Sequence, residues 1–99
     1  MKKYHKEADL QADIIIYLEA HNYPAYNIII ASKDGVCDVV ACIEGMFCSI
    51  EVKLDYNKPS ELQAVKQSKV AMAGGYAIIA KSIEDVAKLI RLVRSDRDC

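Results

Sequence analysis

Residues 38–53, DVVACIEGMFCSIEVK, decide the fold of this 99-residue chain. β-Branched and aromatic side chains dominate both halves of the stretch, which is typical of β-strands. Glu44-Gly45 separates the halves. A two-residue connection there calls for a type I′ turn with positive φ at both positions, for which Glu-Gly is a weaker signal than Asn-Gly, so the turn type stays open. The stretch therefore predicts a β-hairpin in which Ile43 pairs with Met46 and the register continues outward to the open end.

Three charged residues meet at the open end of this predicted hairpin. The register sets Asp38 opposite Glu51, and Lys53 points to the same face as Glu51 because it lies two residues further on. Directly opposed side chains have Cβ atoms about 4.5–5.5 Å apart, where like charges destabilise the pair. Two carboxylates so placed favour a cation between them. Lys53 is one candidate, and a hard divalent metal, which takes oxygen ligands, is the stronger one. The alternative is an exposed hairpin mouth with three solvated charges.

An ordered set of motifs extends beyond the hairpin: Gly35-Val36-Cys37-Asp38, Glu51-Val52-Lys53, Ser60-Glu61-Leu62-Gln63 and Gly74-Gly75-Tyr76. The set resembles the PD-(D/E)xK nuclease signature and, within it, the virus-type replication-repair nuclease (VRR-NUC) family, from about Glu7 to about Val93. The Asp/Glu-x-Lys motif is degenerate when taken alone, whereas the ordered set is more specific. Cys37 is a departure, since the family usually has Pro at that position. It affects the local turn more than the chemistry.

The whole chain is predicted to form one α/β domain, residues 1–99. The element order is α-β-β-β-α-β-α, the core of the restriction-endonuclease-like fold, with a mixed four-stranded sheet flanked by helices. The resemblance implies the same fold. Both faces of the hairpin are largely apolar, so we expect helices on both sides of the sheet. The predicted bounds are helices at 6–21, 60–73 and from 82, strands at 25–31 and 76–80, and a frayed polar tail at 94–99.

The resemblance implies a metal-dependent nuclease site at the hairpin mouth. Asp38, Glu51 and the backbone carbonyl of Val52 would hold Mg²⁺ or Mn²⁺, and no small-molecule cofactor is expected. Lys53 would position or deprotonate the attacking water, or stabilise charge on the phosphate. In the family a Glu on the first helix joins the site, and Glu7 matches that position best.

Glu7 and Gln63 each have a structural alternative. Glu7 leads the inward stripe of the first helix, where it could extend to solvent at the helix end, and Asp9 is the weaker candidate for the family position. Gln63 forms a capping-box pair with Ser60. The family places the matching Gln beside the catalytic Lys, so Gln63 is included among the candidate catalytic residues with both interpretations open.

Candidate contacts to nucleic acid lie around the hairpin mouth. Ser32 and Lys33 belong to the polar loop before Asp38, where turn chemistry explains them equally well. Lys58 and Lys66 belong to a lysine cluster around the second helix. The formal net charge of −1 does not indicate tight non-specific binding to nucleic acid. Local contacts to phosphate through a metal and a few lysines remain compatible with it.

The predicted substrate is branched DNA, cut by a homodimer. Stand-alone members of the family look like Holliday-junction resolvases, and a two-fold axis fixes two sites on paired strands. Hydrophobic residues make up 53% of the chain, and Ile15 and Ile16 add apolar surface to the first helix. Both observations favour an interface. The alternatives are a flap or single-strand nuclease, a non-cleaving DNA-binding module with the same fold, or an interaction domain with coincidental charges.

The four cysteines match no zinc-binding spacing. In the predicted register Cys42 and Cys48 point to opposite faces, so we expect mostly buried, reduced thiols and no bridge between those two. The N-terminal segment is too polar for a signal peptide, and no stretch reaches the roughly 20 apolar residues of a membrane span. These features predict an intracellular, cytoplasmic protein without membrane association. The family resemblance is compatible with a phage or prophage origin.

Overall fold

The computed structural model of the protein describes residues 3–54 and 57–98. Its elements follow the predicted order, so the α/β class and the α-β-β-β-α-β-α arrangement are confirmed. The elements are α1 (Glu7–Ala20), β1 (Ala25–Asn27), β2 (Val39–Ile43), β3 (Met46–Val52), α2 (Glu61–Met72), β4 (Tyr76–Ala80) and α3 (Ile83–Arg97). The sheet runs β1-β2-β3-β4, with antiparallel pairs except for the parallel pair β3-β4. A parallel pair needs a crossover connection, which α2 supplies.

The central hairpin has the predicted turn and register. Glu44 and Gly45 have φ values of 51° and 81°, as a type I′ turn requires. Ile43 pairs with Met46, and the ladder runs without a bulge to Val39 opposite Ile50. Because side chains alternate along a strand, this register fixes the face on which every hairpin residue lies.

One face of the sheet is sealed by two helices, and we call it the closed face. α1 and α3 pack against it with apolar stripes at helical spacing. The hairpin residues on this face are buried except for Met46, which is half-buried and packs against the core. Its hairpin side chains are Val39, Ala41, Ile43, Cys48, Ile50 and Val52, and its helical side chains are Leu10, Ile14, Leu18, Val86, Leu89, Ile90 and Val93.

The opposite face, here called the open face, is covered less completely than predicted. α2 packs over β3 and β4, yet none of its described side chains is fully buried. Phe47 is 53% exposed, and Cys42 is exposed as well. The expectation of cover on both sides therefore holds for Ser49 and Glu51 of β3, which are buried. In the described part of the chain, one helix lies on this face and two on the closed face, so the β1-β2 half has no helix over it.

The first strand is shorter than the sequence predicts. It ends at Asn27, which pairs with Val39, the first residue of β2. Beyond that point Ile28 donates one hydrogen bond to the carbonyl of Asp38, at 2.7 Å. Among the described residues no strand faces those that follow Ile28, so the predicted extension to residue 31 is wrong. Ile29 and Ile30, expected to be buried on both faces, are 83% and 90% exposed.

The last helix is longer than predicted and continues to Arg97. Arg94 Nε donates to the Tyr23 hydroxyl at 3.1 Å, and Arg97 donates to the backbone carbonyl of Glu44 in the hairpin turn. These two contacts hold residues 94–97 against the domain, in place of the frayed tail expected there.

Cys42 and Cys48 lie on opposite faces, as predicted, and both are free. Cys37 is also free and buried, so two of the three described thiols are buried, in line with the expectation of mostly buried thiols, and Cys42 is the exposed one. Cys99 and Tyr56 lie outside the described residues. Within the described ranges, every helix is too short or too polar to cross a membrane.

Candidate functional site

The hairpin mouth brings Asp38 and Glu51 to the same end of the open face. The ladder closes at Val39 opposite Ile50, so Asp38 and Glu51 form the next pair outward. The position of Asp38 is fixed by a hydrogen bond in which the backbone N–H of Val52 donates to Oδ2 at 2.8 Å. The Asp38 carboxylate is thereby held against the end of β3, beside Glu51.

Glu51 is the unusual residue of the site. Its side chain has no exposed surface, and neither carboxylate oxygen has a hydrogen-bond partner among the residues that the structure describes. A buried charged group without a partner costs several kcal/mol unless it changes its protonation state or gains a cation. In the absence of a bound cation, the burial of an ionised Glu51 therefore lowers the stability of the folded protein.

The electrostatics of the site point the same way. The pKa of Glu51 is raised from its ordinary 4.5 to about 8, chiefly by burial. The neighbouring Asp38 contributes to this rise, both by the close approach of its carboxyl group and by repulsion. Lys53 opposes this rise with its positive charge, and Glu7 adds a smaller repulsion. A single lysine thus compensates the carboxylates incompletely, and a further positive charge would be stabilised here.

The oxygen atoms at the hairpin mouth fit a hard divalent cation. Asp38 and Glu51 supply carboxylates. The N–H and C=O of a strand residue point to the same side, so the carbonyl of Val52 is directed toward the side of β3 on which its N–H meets Asp38. Mg²⁺ typically takes one or two carboxylates and completes its shell with water and phosphate. Within the described ranges, three or more His, Cys, Asp or Glu side chains do not gather at any one point to hold a metal by themselves.

Glu7 lies beside this site, at the first turn of α1. Its Oε2 accepts from the backbone N–H of Leu54 at 3.2 Å and from Nδ2 of Asn57 at 2.7 Å. These bonds tie the helix to the segment that follows β3. The negative charge of Glu7 also raises the pKa of Glu51 by repulsion. Asp9, the weaker candidate for this position, is exposed.

Gln63 is engaged in the predicted capping box. Its Oε1 accepts from the backbone N–H of Ser60 at 2.9 Å, while Ser60 Oγ accepts from the Gln63 N–H at 3.1 Å. The start of α2 also packs against the loop before Asp38, where Gly35 has a φ of +80° and a Cβ would approach Leu62 to 2.5 Å. The capping role is thus present, and a catalytic role for Gln63 stays a prediction.

The four candidate DNA contacts are dispersed. Ser32, Lys33 and Lys58 are exposed on the loops that flank the hairpin mouth, whereas Lys66 is half-buried on α2. Lys66 lines a hollow beside the site, a position that the sequence did not predict.

Two polar side chains of the site region, those of Asn57 and Gln67, make contacts that were not predicted from the sequence. Asn57 donates to Glu7. Gln67 accepts from Ser49 Oγ and donates to the carbonyls of Ser49 and Ile78, at 3.2 and 2.9 Å, so it fastens α2 to β3 and β4. The signal for Gln67 was its position one turn after Gln63, whereas nothing in the sequence indicates the partner of Asn57.

Comparison with known proteins gives a match at the level of structure. No protein-family model matches the sequence, and no curated protein matches it either. A solved structure described as "VRR_NUC domain" has a TM-score of 0.74 and 22% sequence identity, with 86% of this chain and 94% of that chain covered. A second, "VRR_NUC domain protein", has a TM-score of 0.69 and 19% identity, over 95% of this chain and 89% of that one. The chain therefore has the fold of VRR_NUC domains.

Proposed function

We propose that this protein is a metal-dependent, structure-selective DNA endonuclease. The observation that carries the proposal is the buried Glu51 carboxylate, which lacks a described hydrogen-bond donor and lies beside Asp38 at the end of a hairpin. A fold that serves stability alone gains nothing from such a pair. The likeness to solved VRR_NUC domains supports the reaction class.

Asp38, Glu51 and the carbonyl of Val52 would hold Mg²⁺ or Mn²⁺. When bound, the metal supplies Lewis-acid polarisation of a phosphate oxygen and lowers the pKa of a coordinated water. The N–H of Val52 orients Asp38. In the same way, the backbone ladder of β3 fixes Glu51, so the ligands are preorganised by the sheet rather than by a flexible loop.

Lys53 is proposed to act on the water and the phosphate. Its backbone N–H donates to the Ala80 carbonyl at 3.1 Å, which anchors the residue to β4. Its positive charge lowers the pKa of Glu51. An ammonium so placed can orient the attacking water and stabilise the charge that develops on the phosphate. Glu7 is proposed to complete the polar surroundings, directly or through water, from its position on Leu54 and Asn57.

A cleavage assay with labelled DNA tests this proposal. Four-way junctions, flaps, single strands and duplexes are incubated with Mg²⁺ or Mn²⁺ and with EDTA. We expect metal-dependent cutting that Asp38→Asn, Glu51→Gln and Lys53→Ala each reduce by at least about 100-fold, the loss typical of removing a principal electrostatic group. The matched exposed variants Asp34→Asn, Glu61→Gln and Lys81→Ala should cut like the native protein. Cutting by Glu51→Gln at the native rate would exclude the proposed site.

We further propose that the active species is a homodimer that resolves four-way junctions. Support comes from an exposed apolar surface at the β1 edge: Ile16 is 65% exposed on α1, and Ile29 and Ile30 follow the end of β1. Such a surface is typical of an interface. A two-fold axis through it would hold two sites at a fixed separation, as recognition of branch shape requires.

Light scattering beside junction cleavage tests the dimer. Ile15 packs against the core, so a charge there would unfold the domain. Ile16→Glu and Ile30→Glu are the informative variants. We expect the native protein to be a dimer at micromolar concentration and both variants to be monomers that lose junction cutting. A monomeric native protein, or one that cuts flaps much faster than junctions, would favour the flap nuclease instead.

A further inference from the structure

The half of the open face that α2 leaves uncovered forms a continuous concave surface. One hollow of about 450 Å³ lies between α2 and the β2-β3 hairpin, and a second of about 300 Å³ lies over β1 and β2. Val40 and Phe47 line both hollows, so they stand at the boundary between them. Neither hollow is lined by Asp38 or Glu51, so this surface is distinct from the carboxylate site.

Two aromatic rings are presented on this surface. Phe47 is 53% exposed and Tyr26, which lines the second hollow, is 64% exposed. They belong to neighbouring positions of the sheet, since Phe47 pairs with Cys42 on β2 and Tyr26 pairs with Val40 on the same strand. Exposed aromatic rings in a row on a sheet provide flat faces on which unpaired bases stack.

The charge of the surface has one sign. Lys66 and Lys69 line the first hollow, and among the described residues that line either hollow there is no Asp or Glu. This contrasts with the overall formal charge of −1. A groove that combines aromatic faces with lysines complements a polyanion with exposed bases.

The surface leads directly to the carboxylate site. Val36 and Cys37, which line the first hollow, immediately precede Asp38. Phe47 lies on the same face of β3 as Glu51, four residues earlier. At about 3.3 Å per strand residue, the two positions are roughly 13 Å apart along the strand. A strand whose phosphate is held at Asp38 and Glu51 can therefore reach Phe47 within a few nucleotides.

We propose that this surface binds the unpaired nucleotides next to the scissile phosphate, with bases on Phe47 and Tyr26 and phosphates near Lys66 and Lys69. The inference rests on the proposed nuclease function and deepens it by assigning the substrate feature that is read. A base can reach these rings once it has left the duplex stack, which a branch point or a flap permits and an intact duplex resists. The surface therefore favours unpaired DNA over a second copy packed face to face on it, because a two-fold axis would set the lysines of one copy against those of the other.

A tryptophan probe at the centre of the surface tests the proposal directly. The chain contains no Trp, so Phe47→Trp gives the protein a single indole fluorophore on the proposed path. The 99-residue variant is titrated in EDTA, which prevents metal-dependent cutting. The titrant is a single-stranded oligothymidine of about eight nucleotides, within the usual range of site sizes. A duplex of the same length serves as the comparison. We expect saturable quenching by the single strand at concentrations at least tenfold below those needed with the duplex.

Substitutions separate stacking from charge. Phe47→Ala should weaken binding of a labelled single strand by roughly tenfold, since one stacked base contributes about that much, and Phe47→Tyr should restore it. Leu92→Ala, at a residue that is 49% exposed on α3, is the matched control and should bind normally. Lys66→Ala and Lys69→Ala should each reduce the dependence of binding on salt.

The outcomes distinguish this inference from the proposed function. Quenching without any cleavage by the native protein would support the surface and refute the nuclease. Cleavage by the native protein with no fluorescence response of the Phe47→Trp variant would refute the surface and leave the nuclease standing, and equal quenching by duplex would refute the surface as well. A change in the fluorescence with protein concentration alone, without DNA, would show that a second copy covers this face, which contradicts the proposal.

Discussion

The two faces of the hairpin are built from alternate residues of the same strands, yet they differ in almost every property. On the closed face each hairpin side chain is apolar, and all but the half-buried Met46 are buried under α1 and α3. On the open face the buried residues include Ser49 and Glu51, the two buried polar side chains in the described part of the chain. The buried polar side chains of the hairpin thus lie on the open face, which α2 covers incompletely.

Ser49 and Glu51 show two ways of treating a buried polar group. Ser49 is satisfied by Gln67, which binds its hydroxyl and its carbonyl. Glu51, two residues further along the same face, has no described partner for either oxygen. The hydroxyl of Ser49 is thus already hydrogen-bonded, whereas the carboxylate oxygens of Glu51 remain available to a ligand. An unsatisfied buried group that persists in a packed sheet is a candidate for function.

The largest effect should come from placing a charge on each face in turn at neighbouring positions. Val39 is fully buried on the closed face, whereas Val40 lines the hollows of the open face. Val39→Asp should leave the domain unfolded at room temperature, since a buried unpaired charge costs more than about 4 kcal/mol. Val40→Asp should cost about 1–2 kcal/mol, because water and Lys66 can reach it. Urea unfolding followed by circular dichroism measures both. Similar losses would mean that the two faces are equally sealed.

The next effect concerns the unsatisfied carboxyl and depends on pH. The pKa of Glu51 is raised in the folded protein to about 8 from 4.5, so the folded state holds a proton that the unfolded chain releases. Metal-free stability should therefore fall as pH rises through the window from about 4.5 to 8 and level off above it. Glu51→Gln should remove this slope.

The comparison with Glu51→Gln is made in EDTA by thermal unfolding between about pH 5 and pH 9, a range that spans most of this window. The variant should be nearly equal to the native protein at the acidic end and more stable by roughly 3–5 kcal/mol at the basic end, the equivalent of a few pKa units at about 1.4 kcal/mol each. Glu61→Gln, at an exposed glutamate of α2, keeps Glu51 and should therefore keep the pH slope of the native protein. A native protein whose stability does not change with pH across this range would contradict the burial of the Glu51 carboxyl group.

The smallest effect should come from the satisfied group and should have the opposite sign. Gln67→Ala removes the partner of Ser49 and of the Ile78 carbonyl and should destabilise the domain by about 1–3 kcal/mol at every pH. Gln67→Glu keeps the shape but sets a carboxylate oxygen against the carbonyls of Ser49 and Ile78, so it should destabilise the domain at least as much as Gln67→Ala. A neutral or stabilising Gln67→Ala would show that Ser49 is satisfied in another way.

The parts of the fold that depend on local rules could be predicted from the sequence. Glu44-Gly45 determines the turn, and alternation along the strands then places every hairpin residue on its face. The carboxylates at Asp38 and Glu51 follow from the same register. This is why the centre of the candidate site could be located from the sequence alone.

The parts that the sequence did not predict depend on partners distant in the chain. The apolar run at Ile29 and Ile30 resembles a buried strand, but β2 begins too late to pair with it. Residues 94–97 look like a polar tail until Arg94 meets Tyr23 and Arg97 meets the turn. The burial of Glu51 and the uncovered half of the open face likewise depend on where α2 settles, which periodicity does not specify.

Binding of Mn²⁺ at the hairpin mouth is the most direct test of the metal-dependent site. Titration calorimetry of the native protein should show saturable binding that Asp38→Asn and Glu51→Gln abolish and that Asp34→Asn leaves intact. Because the pKa of Glu51 is raised to about 8, binding at about pH 7 should release close to one proton, measurable as a dependence of the heat on the buffer. Absence of binding, unchanged binding by Asp38→Asn, or a stoichiometric cysteine-bound zinc in the purified protein would contradict the proposed site.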